Sequence, residues 1–479
     1  MKSTFRFSFL IIALFFLSFC NNERTSSSAS ISNNGSAKIE VQVIGQNGGQ
    51  AGLIATYADQ NYRIDTASID HEGRFTFTKS DGYPSGAYYV MLPNRNYFQI
   101  LLDKGQKFSM TTQLANLTGS MAISGNKDNE LLFKNLRFEQ EMQPRFNEIA
   151  QRLPGLSTTS SEYLDLKTRE KELVTQRKNH LNKLYDSSPN GFFTMFKKAG
   201  QNPDLKEVYL SDGSVDFQKQ LTYYRQEFWD NVDFSDIRLI RTPVVFNKLK
   251  RYFNELTVQQ PDSIKISTKD LMDKVPEGSD YYKFFTNWVA LNYEPTKTTL
   301  MDSEAIYVFM VQNYINHEKA FWADSVQVFG LQQRAHEMAA SLIGLKGPNV
   351  TSTDPYGKSQ SIYDISAPYI IVYLYNPTCD HCIEETPKLV NFYRQWKPKG
   401  VEVYAIAIDT DDQSWKGFIN KNDMDWINVH DPSNKSIYAK YFVDNTPEVY
   451  VLNPERTIIG KNLKVGQIET IINKDKNNR

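Results

Sequence analysis

The run Tyr369-Ile370-Ile371-Val372-Tyr373-Leu374-Tyr375 is apolar or aromatic throughout and ends four residues before Cys379-Asp380-His381-Cys382. A run of this length and β-branched, aromatic content reads as a buried strand. The residues that follow, Ile383-Glu384-Glu385-Thr386-Pro387-Lys388-Leu389-Val390-Asn391-Phe392-Tyr393, read as an amphipathic helix. The two thiols therefore fall where a strand ends and a helix starts. Unpaired backbone N–H groups and the helix dipole favour negative charge at that point. A cysteine held there becomes available as a thiolate near neutral pH. The implied chemistry is dithiol–disulfide exchange.

With 479 residues the chain exceeds one ordinary core, so two to four domains are expected. Hydrophobic content of 40% and charged content of 23% describe a soluble globular protein. A net charge of -1 gives no electrostatic basis for a nucleic-acid partner. At the N-terminus, Lys2 and Arg6 precede an apolar segment over residues 7–17, too short for a membrane span of roughly 20 residues. It closes on Leu17-Ser18-Phe19-Cys20 and resembles a bacterial lipobox, in which Cys20 would be lipidated; Phe19 departs from the usual small residue. Residues 1–20 are thus expected to be a lipoprotein signal peptide, and the Ser/Asn-rich residues 21–36 a flexible tether. The expected location is periplasmic, lipid-anchored to a bacterial membrane.

Assigning Cys20 to lipid leaves only the CxxC pair among the three cysteines, with none for a disulfide framework. A zinc half-site would need a second CxxC or a His pair, so no metal is expected. No cofactor is expected either.

Residues 37–125 carry short alternating segments separated by Gly/Asn-rich turns, which predicts an antiparallel β-sandwich. Residues 126–345 carry three- and four-residue apolar spacing, predicting a helical domain; the candidate helices include 217–228, 243–256, 281–291, 305–315 and 328–343. Residues 346–479 begin with a tight-turn hairpin, then the strand, CxxC and helix. A second buried strand follows over 400–409, then helices near 415–422 and 436–442, and a closing hairpin over 447–460. The fold class is multidomain: N-terminal β-sandwich, central α-helical domain, C-terminal α/β domain.

Three ordered elements carry a family resemblance: the CxxC after a strand, Glu385-Thr386-Pro387 in the following helix, and Asn445-Thr446-Pro447 before the closing hairpin. Together they resemble the thioredoxin-like thiol–disulfide oxidoreductases of the TlpA/ResA type, over about residues 346–470. The β-rich segment resembles the small domain that precedes thioredoxin domains in Bacteroidetes lipoproteins. Cys379, nearest the helix start, is the expected attacking thiolate, and Cys382 resolves the mixed disulfide. The resemblance implies a cis Pro447 after Thr446, with backbone groups facing substrate, and a catalytic acid at Glu385. Two departures stand out. Tyr373 occupies the position of the buried thioredoxin acid, and Pro377-Thr378 replaces the usual Trp.

Between the cysteines, protonated His381 would stabilise the Cys379 thiolate while Asp380 opposes it, so the redox bias stays open. His430-Asp431-Pro432 reads as a surface turn, with His430 a candidate supporting group. The expected partners are protein thiols and disulfides, an unidentified electron-donor protein, and the membrane through the lipid anchor. The alternative is a binding or interaction lipoprotein carrying a vestigial redox module.

Overall fold

The computed structural model describes residues 35–431, 437 and 440–479. The signal-like segment, Cys20 and the tether up to residue 34 lie outside the described residues. So do Pro432 and residues 436, 438 and 439 of the helix expected over 436–442.

The chain opens with β1 (Ala37–Ile44), β2 (Gln50–Tyr57), β3 (Gln60–Ser68), β4 (Arg74–Lys79), β5 (Gly86–Met91), β6 (Tyr97–Leu102), β7 (Lys107–Gln113) and β8 (Ala122–Ser124). They form two four-stranded sheets, ordered β4-β1-β7-β8 and β3-β2-β5-β6. The expectation of a purely antiparallel sandwich is corrected at one pair. β1 runs antiparallel to β4 but parallel to β7. Strands so far apart in the chain are free of the hairpin constraint that forces antiparallel neighbours. On β1 the alternation Ile39, Val41, Val43 faces the core, with polar residues outward.

Helices then take over: α1 (Lys127–Arg152), α2 (Ser161–Ser187), α3 (Phe192–Ala199), α4 (Phe217–Glu227), α5 (Pro243–Asn254), α6 (Pro261–Met272), α7 (Asp280–Asn292), α8 (Ser303–Tyr314) and α9 (Ser325–Ala339). Capping explains several starts. Asn126, Ser160, Asp216 and Ser279 each accept a backbone N–H of the first turn through their side chains, and Pro243 and Pro261 sit where a missing N–H costs nothing. The β-sheets and these helices share one continuous apolar cluster, from Ala37 to Met338. Asn129, fully buried on α1, bonds both the N–H and the carbonyl of Leu101 on β6, at 2.8 and 2.7 Å. A Cβ on Gly86 would meet the backbone of Arg241 at 2.8 Å, so only glycine permits that approach of sheet to helical segment.

The C-terminal part contains β9 (Thr351–Thr353), β10 (Ser359–Ser361), β11 (Tyr369–Tyr375), α10 (Asp380–Trp396), β12 (Val401–Ile408), α11 (Asp412–Asn422), β13 (Ile427–Asp431), β14 (Glu448–Leu452), β15 (Ile458–Gly460) and α12 (Val465–Asn477). One seven-stranded sheet runs β10-β9-β13-β12-β11-β14-β15. β11 is central, parallel to β12 and antiparallel to β14. Its side chains split by parity. Tyr369, Ile371, Tyr373 and Tyr375 enter the core shared with α10, α11 and α12, whereas Ile370, Val372 and Leu374 enter the core on the opposite face. Such double coverage is why all seven residues are apolar or aromatic. Among the described residues, no helix is long and apolar enough to cross a membrane.

Candidate functional site

Burial of β11 on both faces delivers the chain rigidly to the loop ahead of α10. Asn376 shapes that loop: its Oδ1 accepts the Thr378 N–H at 2.8 Å, and its Nδ2 donates to the Asp409 carbonyl at 3.0 Å. Cys379 is the N-cap of α10, with extended φ −77° and ψ 125°, and its carbonyl accepts the first helical bond from Ile383. Its thiol is half-buried, while Cys382 one turn later is fully buried. Neither cysteine is in a disulfide.

The Cys379 thiol donates to the Thr446 carbonyl oxygen at 3.1 Å. The Thr446–Pro447 peptide bond is cis. Burial works against ionising Cys379. Hydrogen bonds from the Thr446 side chain, the Cys382 N–H and thiol, and the His381 N–H outweigh it and hold Cys379 below the ordinary thiol range. Burial pushes Cys382 the other way, up to about 12, aided by the neighbouring Cys379. One thiol is thereby readied to ionise while its partner keeps its proton.

Tyr373 is fully buried where the acid would be. Burial raises its phenol well above the ordinary value, so the group stays neutral. It lies 2.8 Å from the Thr386 hydroxyl, which in turn donates to the Cys382 carbonyl at 2.7 Å. Its ring stacks on Tyr375 at 5.3 Å. Glu385 lies on the same helix, its Oε1 2.7 Å from Lys388 Nζ and its Oε2 accepting the Val465 N–H at 3.4 Å. Asp380 and His381 are both exposed on the first turn of α10. Pro387 stands inside α10 as expected.

The expectation of a turn at His430 is corrected. It lies on β13, stacked on Trp415 at 4.7 Å, with Nε2 2.8 Å from the Thr410 carbonyl. The pairing of β13 with β12 claims its backbone. Sequence reading missed Asn376, although Asn two residues before Thr378 is the signature of a side-chain-closed turn.

Residues 343–467 match the AhpC/TSA family. Residues 37–132 match a domain of unknown function (DUF4369), and residues 213–336 match another (DUF5106). The C-terminal domain is a thioredoxin-like domain of the thiol–disulfide oxidoreductase family. It is similar to the thiol-disulfide oxidoreductase ResA of Bacillus cereus, at 26% identity over 119 residues, covering 25% of this chain and 68% of that protein. The ResA of Bacillus anthracis is 28% identical over 117 residues, covering 24% and 67%. Among solved structures, a domain of a possible thiol-disulfide isomerase from Cytophaga hutchinsonii is 32% identical, covering 29% of this chain and 97% of that one at a TM-score of 0.28. A thioredoxin-like protein from Bacteroides caccae is 20% identical, covering 57% and 99% at a TM-score of 0.44.

Proposed function

We propose that the protein is an extracytoplasmic, membrane-tethered thiol–disulfide oxidoreductase acting on protein disulfides, built from domains at 37–125, 126–345 and 346–479. The carrying observation is the opposed setting of the two thiols, Cys379 below and Cys382 above the ordinary range. The Cys379 thiolate attacks a substrate S–S bond, and one substrate sulfur leaves and takes a proton. Cys382 then gives up its proton and attacks Cys379 of the mixed disulfide, expelling the second substrate thiol. The substrate gains two electrons, the CxxC becomes a disulfide, and a donor protein must return the pair. Thr446 and Pro447 present the backbone that an extended substrate would meet. Asp380 and His381 tune the dithiol from the exposed first turn. Glu385 is the acid assigned to the Cys382 proton. Cys20 carries the lipid anchor in this reading.

The half-buried Cys379 thiol set against Thr446, with the Cys382 thiol buried one turn below it, favours exchange chemistry over the pure binding alternative. The test is insulin reduction driven by a recycling thiol donor. Wild type should turn over, and Cys379→Ser should reduce no insulin; an active Cys379→Ser variant would overturn the reading.

A further inference from the structure

The loop that meets Cys379 is held by the central helices. Residues 442–447 run up to Thr446–Pro447, yet Phe442 is 3% exposed and packs in the apolar cluster of the β-sheets and helices rather than in either core of its own sheet. Arg334 on α9 covers it, the guanidinium carbon lying 5.7 Å from the Phe442 ring and 5.9 Å from the Tyr307 ring of α8. Arg334 Nη2 reaches Asp444 Oδ2 at 2.6 Å and Glu294 Oε1 at 3.4 Å. Glu294 is itself paired with Lys297 at 3.6 Å. The far side of Pro447 is tied to the same helices. The Asn462 N–H donates to Glu448 at 2.9 Å, and Asn462 Nδ2 donates to Glu304 of α8 at 2.9 Å. Both flanks of Thr446–Pro447 therefore end on α8 and α9, outside the thioredoxin-like domain.

We propose that Arg334 is a positioning residue for the redox centre, locking the 442–447 loop so that Thr446 stays against the Cys379 sulfur. The inference rests on the proposed exchange activity but acts on a property measurable without it. With Arg334 removed, Asp444 loses its counter-ion and Phe442 its cover, and the loop gains freedom to withdraw from Cys379. Thr446 withdraws with it, taking away the carbonyl that the thiol donates to and the hydroxyl bond that does most to hold Cys379 below the ordinary thiol range; the loss of the hydroxyl sets the sign, so Cys379 ionises less readily. The central helices then serve as part of the active-site frame and not as a passive spacer.

The experiment follows iodoacetamide alkylation of the reduced full chain against pH. Arg334→Ala and Asp444→Ala should each shift the midpoint upward and slow alkylation at neutral pH by about threefold or more, as expected for a smaller thiolate fraction. The double variant should be no slower than Arg334→Ala alone, because the contact with Asp444 is already gone there. Arg334→Lys should recover at least half of the loss, a rescue that general destabilisation would not produce. If Arg334→Ala does not fold, Asp444→Ala, whose side chain is partly exposed, carries the test. An unshifted midpoint in a folded variant, or additive losses in the double variant, overturns the inference. Inactivity of wild type towards insulin alongside the alkylation shift would sink the proposed function and leave the coupling standing. Active wild type with no shift would do the reverse.

Discussion

Cys379 and Cys382 are three residues apart, yet their surroundings drive them in opposite directions. Cys379 caps the helix, half-buried among donors, and Cys382 is closed into the core beneath it. Between the ordinary thiol range and about 12, only the first should react. Iodoacetamide at pH 8, followed by peptide mass mapping, should therefore label Cys379 and leave Cys382 unmodified in the folded, reduced protein. Label on Cys382 at comparable yield would contradict the assigned geometry. The helix-start logic that picks out Cys379 needs nothing beyond residue order. Thr446, whose carbonyl accepts from the Cys379 thiol, comes from 67 residues away and is brought in by the pairing of β14 with β11.

At the scale of the element, α10 concentrates the chemistry on one face. Cys382, Glu385 and Thr386 stand at i, i+3 and i+4, so the resolving thiol, a carboxylate and a hydroxyl stack along one side of the helix. Tyr373 on β11 closes that face with a neutral phenol in place of a carboxylate. With no acid on the strand, Glu385 is the proposed acceptor of the Cys382 proton. Glu385→Gln should leave formation of a mixed disulfide unchanged and slow its resolution by about tenfold or more, in line with the loss of a general base. Rapid-quench trapping of the mixed disulfide measures both steps. Resolution at the wild-type rate would move the role elsewhere. Secondary structure at this scale was largely legible. The helices expected at 217–228, 243–256 and 281–291 appear as α4, α5 and α7. Those that escaped notice, such as α6, and the strands β3, β7 and β13 have patterns too short or too mixed to separate from loops.

Across the whole molecule, the join between the central helices and the C-terminal domain is charged and buried. Lys461, fully buried, lies 3.4 Å from Glu304 and 3.9 Å from Asp302, with Glu448 nearby. Three carboxylates around one ammonium leave excess negative charge in a poorly solvated place. Burial, reinforced by the neighbouring Glu304, raises Asp302 to about 7 and Glu448 to about 8. Both bind protons more tightly folded than unfolded, so their contribution to stability is full below the ordinary carboxylate range. It declines as pH rises towards about 7 for Asp302 and about 8 for Glu448. Asp302→Asn removes one charge, and asparagine tolerates the left-handed φ of 57° at that position. The variant should melt at a higher temperature than wild type at pH 8 and lose less stability between pH 5 and pH 8. A wild-type melting profile flat across that range would refute the account.

Residue order by itself determined the three-part layout, the strand–CxxC–helix unit and the identity of the two cysteines. Those features rest on local periodicity and on helix-end electrostatics, which neighbours in the chain create. The parallel β1–β7 pair, the housing of Phe442 among foreign helices, and the reach of Arg334 to Asp444 across 110 residues were decided only by tertiary structure. Contacts of that kind depend on how separately formed surfaces meet, and burial and pairing energies there are set by shape rather than by any spacing along the chain.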